Sequence, residues 1–363
     1  MRDLRKEFPV AKHHLYFDTA STGLLYESLM DWRNEHDLDF LLGGSTFRNG
    51  HKKLLDTVRK QVATFFGSKK ENIALIPNFS FGFNALLEGV EKPKRVLLLE
   101  NEYPSISWAV QSRDFEIAYA KLDENLEQNI SAAFEKKTPD IFACSLVQYI
   151  NGIKIDFEFL KQLKQKYPNT LLIADGTQYL GTEVFNFEES ALDVLGASGY
   201  KWMLAGFGNG FLMVKEEVKN KIFPKTIGYN SAETMESSLE ETIFIKHFEP
   251  GHQDTFNYGS LGFSLRFLTQ IGKETIATHL EILCEKARQG FTKLNLLEDS
   301  VVLRKKHSTI FNIKGDEKLF QYLKANNIIC SQRGNGIRLS FHFYNTEKEV
   351  GSLVALLQNY FSR

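Results

Sequence analysis

Lys201 closes the segment Ala197-Ser198-Gly199-Tyr200-Lys201-Trp202, and Ala174-Asp175-Gly176-Thr177-Gln178 lies one apolar run earlier. A primary amine can condense with an aldehyde, and a carboxylate can keep a pyridine nitrogen protonated so that the ring accepts electrons. Together they are a donor set for pyridoxal phosphate. Alone, neither residue decides the matter: Asp-Gly is common turn chemistry, and a lysine after a strand can be merely solvated. Each follows a run that reads as a buried strand, however. A carboxylate, a hydroxyl and an amine then share one edge of a parallel sheet, where open sheets bind ligands.

A third element lies upstream. The run Asn72 to Ile76 leads into Asn78-Phe79-Ser80-Phe81-Gly82-Phe83-Asn84 and the helix-like Ala85-Leu86-Leu87. The start of a helix offers free backbone N–H groups and the positive end of a dipole, and Ser80 can add a hydroxyl. This reads as a cup for a phosphate dianion, although Ser80 could equally cap the helix.

These motifs need a sheet to hold them. His51 to Phe66 carries a helical stripe of Leu54, Leu55, Val58, Val62, Phe65 and Phe66 that stops at Gly67. Short apolar runs follow at 72–76, 95–100, 141–147, 171–174, 193–197 and 210–214 and predict buried strands. Helical segments such as Phe157 to Tyr167, capped by Asp156, separate some of them, so the pattern predicts an α/β chain with crossover units and a mainly parallel sheet. Charged, irregular sequence runs from Lys215 to about Glu249, and a long helical stretch from about Leu261 to Leu294 comes next. Strand-like Thr309 to Ile313 and Ile337 to Phe343 then alternate with helix-like Glu317 to Ala325 and Thr346 to Phe361. The expectation is a large domain over 15–250 and a smaller C-terminal α/β domain over 251–363, joined by the segment 1–14.

Composition excludes other classes. The chain of 363 residues is 43% hydrophobic, enough for a large core without staples, and its 44 basic and 45 acidic residues nearly cancel. Nothing in that balance asks for nucleic acid or an anionic membrane. Cys144, Cys284 and Cys330 lack the spacing of a zinc site or a redox pair, so no metal is expected and a reduced, cytoplasmic setting is. The charged start precedes no apolar signal core, and no stretch approaches the ~18 apolar residues of a membrane span.

At this point the residues resemble a family, the class V aminotransferases of the fold-type I pyridoxal phosphate enzymes, which include cysteine desulfurases, kynureninase and isopenicillin N epimerase. The resemblance runs from Tyr16-Phe17-Asp18-Thr19-Ala20 through Phe47-Arg48-Asn49-Gly50-His51, the cup, Asp175, Gln178 and Lys201 to Arg338-Leu339-Ser340 and Phe343-Tyr344-Asn345-Thr346. It implies a seven-stranded sheet of that fold, pyridoxal 5'-phosphate as cofactor and an amino acid as substrate. Lys201 would be the Schiff-base lysine and the base at the α-carbon. Asp175 would pair with the pyridine nitrogen, and Gln178 would bond the ring's phenolic oxygen. Ser80, the Phe81 backbone, Ser198 and Tyr200 would hold the phosphate, with Tyr200 standing where many members carry histidine. Tyr103 would stack on the ring, Asn151 would lie near the cofactor, and Arg338, with Ala20, would meet the substrate, the arginine gripping its carboxylate. His252 lies where relatives reach the phosphate across a dimer interface, which implies a homodimer.

The reaction stays open between transamination and lyase chemistry. A cysteine desulfurase or selenocysteine lyase-like activity is the alternative, together with a catalytically silent regulatory protein that only binds the cofactor. Against the desulfurase, Arg333-Gly334-Asn335-Gly336-Ile337-Arg338 passes from one arginine to the other with no room for a cysteine-bearing loop, and Cys330 reads as a buried structural thiol. A dinucleotide reading of Gly206-Phe207-Gly208-Asn209-Gly210 fails, because its glycines follow the lysine and lie too close together.

Overall fold

The computed structural model describes residues 4–91, 94–232, 238 and 241–362. The chain begins with a short helix α1 (Pro9–His13) and strand β1 (Leu15–Tyr16), followed by α2 (Glu27–Gly43) and α3 (His51–Phe66). Strands β2 (Ile73–Ile76), β3 (Arg95–Leu99), β4 (Glu116–Ala120), β5 (Ile141–Ser145), β6 (Leu171–Asp175), β7 (Val194–Ser198) and β8 (Gly210–Val214) then build one sheet in the order β2-β8-β7-β6-β5-β3-β4. Neighbours from β7 through β4 pair in parallel, and β8 runs against both β7 and β2. Four of the crossovers carry helices α4 (Phe79–Glu88), α5 (Pro104–Gln111), α6 (Leu126–Lys136) and α7 (Phe157–Lys166).

The central strands are apolar throughout because both faces are covered. Along β6, Leu172 and Ala174 face one core while Leu171 and Ile173 face the other, as the two-residue period of a strand demands. Asp175 breaks that apolar run at its last position, which is why its carboxylate emerges at the strand's C-terminal edge. Gly196 lets α4 close on the sheet: a Cβ there would meet Leu212 at 2.5 Å and the Phe79 ring at 2.9 Å. The start of α4 is therefore pressed against β7.

The C-terminal part comprises α8 (Thr255–Ile271), α9 (Lys273–Lys293), α10 (Asp299–Val302), β9 (Ile310–Lys314), α11 (Glu317–Ala325), β10 (Ile328–Ile329), β11 (Ser331–Arg333), β12 (Gly336–Ser340) and α12 (Glu347–Phe361). The single helical stretch expected from Leu261 to Leu294 is two helices. Gly272, at φ +95°, takes a conformation that side chains resist and turns the chain between α8 and α9. Helix α8 packs along α3 and α2, while β9, β11 and β12 form an antiparallel sheet. Strand β1 pairs in parallel with β10, and Asp18 bridges to Ser340, so the N-terminal segment is bound to the far end of the sequence. Part of the irregular 215–249 stretch, residues 233–237, 239 and 240, lies outside the described residues, as do residues 1–3 of the N-terminal segment. Among the described residues, no helix is long and apolar enough to cross a membrane and no His/Cys/Asp/Glu cluster could hold a metal ion.

Candidate active site

Seven of the residues singled out from the sequence surround one cavity of about 530 Å³ at the C-terminal edge of the parallel strands: Ser80, Tyr103, Asp175, Gln178, Ser198, Tyr200 and Lys201. Each comes from a strand end or from the loop or helix start that follows it. The parallel crossovers thus gather side chains 121 residues apart in sequence, Ser80 and Lys201, onto one wall.

At one end lies the first turn of α4. Asn78 caps it by accepting the Phe81 N–H at 2.9 Å, and the Phe79 N–H donates to Ser198 Oγ at 3.0 Å. Ser80 Oγ meets Ser105 Oγ, from the first turn of α5, at 2.6 Å. Two helix starts and three serines face the cavity here, an environment suited to a phosphate. The backbone contact expected of Phe81 is occupied by the cap, and the Phe81 side chain is exposed.

Asp175 is buried, and burial raises its carboxyl pKa, opposed by hydrogen bonds from Thr177. The Thr177 N–H donates to it at 2.8 Å, and Thr177 Oγ1 accepts the Ser198 N–H at 3.1 Å, which links the ends of β6 and β7. Lys201 is 7% exposed, and burial lowers its pKa to about 8; Asp175 opposes that shift, while Arg338 and Arg333 add to it. Neither group is ion-paired among the described residues, so each offers its charge or proton to whatever fills the cavity. The Lys201 Nζ lies 5.8 Å from the Tyr103 ring centroid and 5.4 Å from that of Tyr200.

Gln178 Nε2 donates to the Ala20 carbonyl at 2.9 Å, and Gln178 Oε1 accepts from the Trp202 indole at 2.9 Å. The amide retains a second N–H, so the donor set suits a phenolic oxygen. Ala20 is thereby a backbone partner of Gln178. Tyr103 packs edge-on against Tyr149 at 5.0 Å, and Tyr200 stacks on Phe207 at 4.7 Å.

Arg338 does not line the cavity. It is buried on β12, with Nη1 donating to the Tyr149 carbonyl at 2.8 Å and Nη2 to Ser21 Oγ at 2.7 Å, while Asp18 lies 3.7 Å away. Its Nε has no partner among the described residues. Tyr149 lines the cavity and connects the arginine to it. Asn151 takes a turn role: its Oδ1 accepts the Ile153 N–H at 3.2 Å, and it does not line the cavity. His252 is exposed, beside Tyr229 at 5.2 Å, and is likewise absent from the wall.

The sequence reading omitted Ser145, Thr177, Ser105 and Phe207 from the site, although all four face the cavity. Ser145 ends β5, so the rule that singled out Asp175 and Ser198 at strand ends would have found it.

A buried amine and a buried carboxylate without ionic partners, an oriented amide and a helix-start cup make a site that fits pyridoxal phosphate, on the architecture of the fold-type I pyridoxal phosphate enzymes. The chain belongs to the class V aminotransferase family, a pyridoxal phosphate-dependent family whose model matches residues 15–353. It is similar to the uncharacterized aminotransferase YcbU of Bacillus subtilis, 23% identical over 95% of this chain and 94% of the relative. Among solved structures it resembles the apo cysteine desulfurase of Thermococcus onnurineus, with a TM-score of 0.86, 21% identity and coverage of 99% of this chain and 97% of the other. It also resembles the cystine C–S lyase C-DES in complex with its product cysteine persulfide, with a TM-score of 0.84, 19% identity and coverage of 96% and 98%.

Proposed function

We propose that this pyridoxal phosphate enzyme acts on an amino acid by transamination or lyase chemistry rather than by the desulfurase route. The observation that carries the reading is the pairing of Lys201, buried and lowered to about 8, with a site that has no usable thiol. Burial raises Cys284 and Cys330 to about 12 and also raises Cys144 well above its ordinary value, so none supplies a thiolate nucleophile near neutral pH. Strands β11 and β12 are joined by the two residues Gly334 and Asn335, which leaves no loop to carry a cysteine.

Bound pyridoxal phosphate supplies the electron sink for a carbanion at the substrate's α-carbon. The chain's residues do the rest. Ser80, through its hydroxyl and N–H, and Ser198 would hold the phosphate at the start of α4, with Tyr200 beside them. Asp175 would keep the pyridine nitrogen protonated, Gln178 would donate to the phenolic oxygen, and Tyr103 would lie against the ring. Lys201 would carry the cofactor through its amine and would serve as the base at the substrate's α-carbon; its lowered pKa keeps part of it neutral near pH 7. Arg338 offers its free N–H groups to the substrate carboxylate, and its fixed fork selects amino acids.

The same proposal includes a homodimer. Helix α2 exposes Leu38, Phe40, Leu41 and Leu42, the last two at 78%. The same helix reaches the loop beside the cavity through Arg33, which donates to the Ala205 carbonyl, while Phe207 and Gly208 of that loop line the cavity. A second copy covering the strip would bring its own residues, His252 among them, beside the cavity.

A panel of amino acids and keto acids added to the holoenzyme, with the cofactor spectrum followed, tests the reaction. A pyridoxamine spectrum supports transamination, and keto acid with ammonia supports elimination. Rapid sulfide release from cysteine that depends on Cys330 would reverse the preference over desulfuration, and an unreactive bound cofactor would leave only a binding role. Lys201→Ala should abolish borohydride-trapped cofactor. A monomer in solution with full activity removes the dimer from the reading.

A further inference from the structure

Glu102 precedes Tyr103 and is buried, yet among the described residues no salt bridge holds its carboxylate. Three donated bonds hold its carboxylate instead. The Tyr103 N–H at 2.8 Å and the Ser145 hydroxyl at 2.6 Å reach Oε1, and the Ser145 N–H reaches Oε2 at 2.8 Å. A buried carboxylate without an ion pair is costly, and this one is retained beside the site. Ser145 ends β5 directly opposite Asp175 on β6, so two buried carboxylates flank one serine. Burial raises the Glu102 carboxyl pKa first, and the Asp175 charge raises it further, while the three bonds favour the ionised form.

We propose that Glu102 is a positioning residue for the cofactor, tying the Tyr103 backbone to the end of β5 and setting a second negative charge behind Asp175 that favours protonation of the bound ring system. This rests on the pyridoxal phosphate reading above. The geometry gives each half a separate contact: the Tyr103 N–H bond fixes where the ring starts, and the two Ser145 bonds hold the charge at the strand end. Asp175 and the Cys144 thiol face Glu102. Facing Lys201 are Asp175, Asp18 from the N-terminal segment, Arg338 on β12 and Arg333 on β11, with the Tyr103 and Tyr200 rings alongside. Two of those four charges are cations, so a further carboxylate beyond Asp175 tips the local balance toward holding protons.

The test is a pH titration of the cofactor's visible absorption band in reconstituted holoenzyme, for the parent, Glu102→Gln and Ser145→Ala. Loss of a nearby negative charge eases proton release, so Glu102→Gln should lower the band's midpoint by about one pH unit and weaken pyridoxal phosphate binding about tenfold. Ser145→Ala keeps the carboxylate but removes one of its donors, which makes Glu102 harder to ionise and should move the midpoint the same way by less. That variant decides the matter if Glu102→Gln does not fold. Midpoints that stay within about 0.2 unit of the parent, even with a lower melting temperature, leave Glu102 a purely structural role and overturn the inference. A parent that forms no visible band with pyridoxal phosphate overturns the functional reading itself, and this inference with it.

Discussion

The Trp202 indole N–H donates to Gln178 Oε1 at 2.9 Å, so the residue that follows Lys201 sets the orientation of the amide one strand away. An indole is a donor only, which fixes oxygen toward Trp202 and nitrogen toward the Ala20 carbonyl. Trp202→Phe keeps most of the bulk and removes the donor. Its dissociation constant for pyridoxal phosphate should rise about fivefold, the worth of about 1 kcal/mol for a net hydrogen bond. An unchanged constant would mean that Ala20 orients the amide by itself.

Cofactor attachment should follow the Lys201 amine. Its pKa lies below the ordinary lysine value, at about 8, so the neutral fraction grows as pH rises toward that value and then saturates. Stopped-flow mixing of the apoprotein with pyridoxal phosphate should give an attachment rate that climbs to pH of about 8 and levels off. A rate still climbing tenfold per unit through pH of about 9 would place Lys201 in solvent.

Arg338→Lys retains a charge and loses the planar fork. With an amino acid that the panel identifies, kcat/KM should fall about 10–100-fold, carried mainly by KM. Ser21→Ala, which frees one Nη2 contact of the arginine, should cost about threefold. Equal losses with a substrate amine that lacks the carboxylate would separate Arg338 from carboxylate binding.

His342 connects the site to acid stability. It is buried behind the lysine segment, with Nε2 bonded to the Trp202 carbonyl at 3.0 Å and Nδ1 accepting the Phe343 N–H at 2.8 Å. Burial lowers its pKa from 6.5 to about 3, so the neutral ring stabilises the fold above pH 6.5, and that contribution is lost as pH falls from 6.5 toward 3. Denaturant unfolding should find His342→Asn less stable than the parent by about 1–3 kcal/mol at neutral pH, with the gap closing toward pH of about 4. A gap that is constant across this range would mean that His342 titrates alike in the folded and unfolded chains.

The sequence was most legible where burial is two-sided. Strands such as β6 are apolar at every position before Asp175, and they stand out without any neighbour. Strand β4 escaped because it lies at the sheet edge, where Glu116 and Tyr119 face solvent and no continuous apolar run forms. Helix α2 escaped for a related reason: Leu41 and Leu42 point outward, so its apolar residues trace no inward stripe. The break at Gly272 lies in its φ of +95°, a backbone conformation that the helical pattern on both sides does not display. In the site, the motif residues at strand ends line one cavity, whereas Asn151, picked out by motif position alone, lies off its wall with its Oδ1 closing a local turn. The antiparallel placement of β8 between β7 and β2 depends on pairing partners that no local pattern encodes.

The pairing of β1 with β10 has a consequence for how the protein is made. The Phe17 carbonyl accepts from the Ser340 N–H at 2.8 Å, Asn345 Nδ2 donates to the Tyr16 carbonyl at 2.9 Å, and Ser21 meets Arg338. While the ribosome is still translating the middle of the chain, the segment that carries Ala20 and Ser21 can meet Gln178 but lacks its C-terminal partners on β10, β12 and Asn345. The Lys201 wall can form early, but the substrate side of the cavity closes only after residues near 345 have left the exit tunnel. Translation order therefore withholds a complete active centre from the nascent chain until β10, β12 and Asn345 are available to the N-terminal segment, which makes cofactor capture by a chain still lacking them weaker than by one that has them.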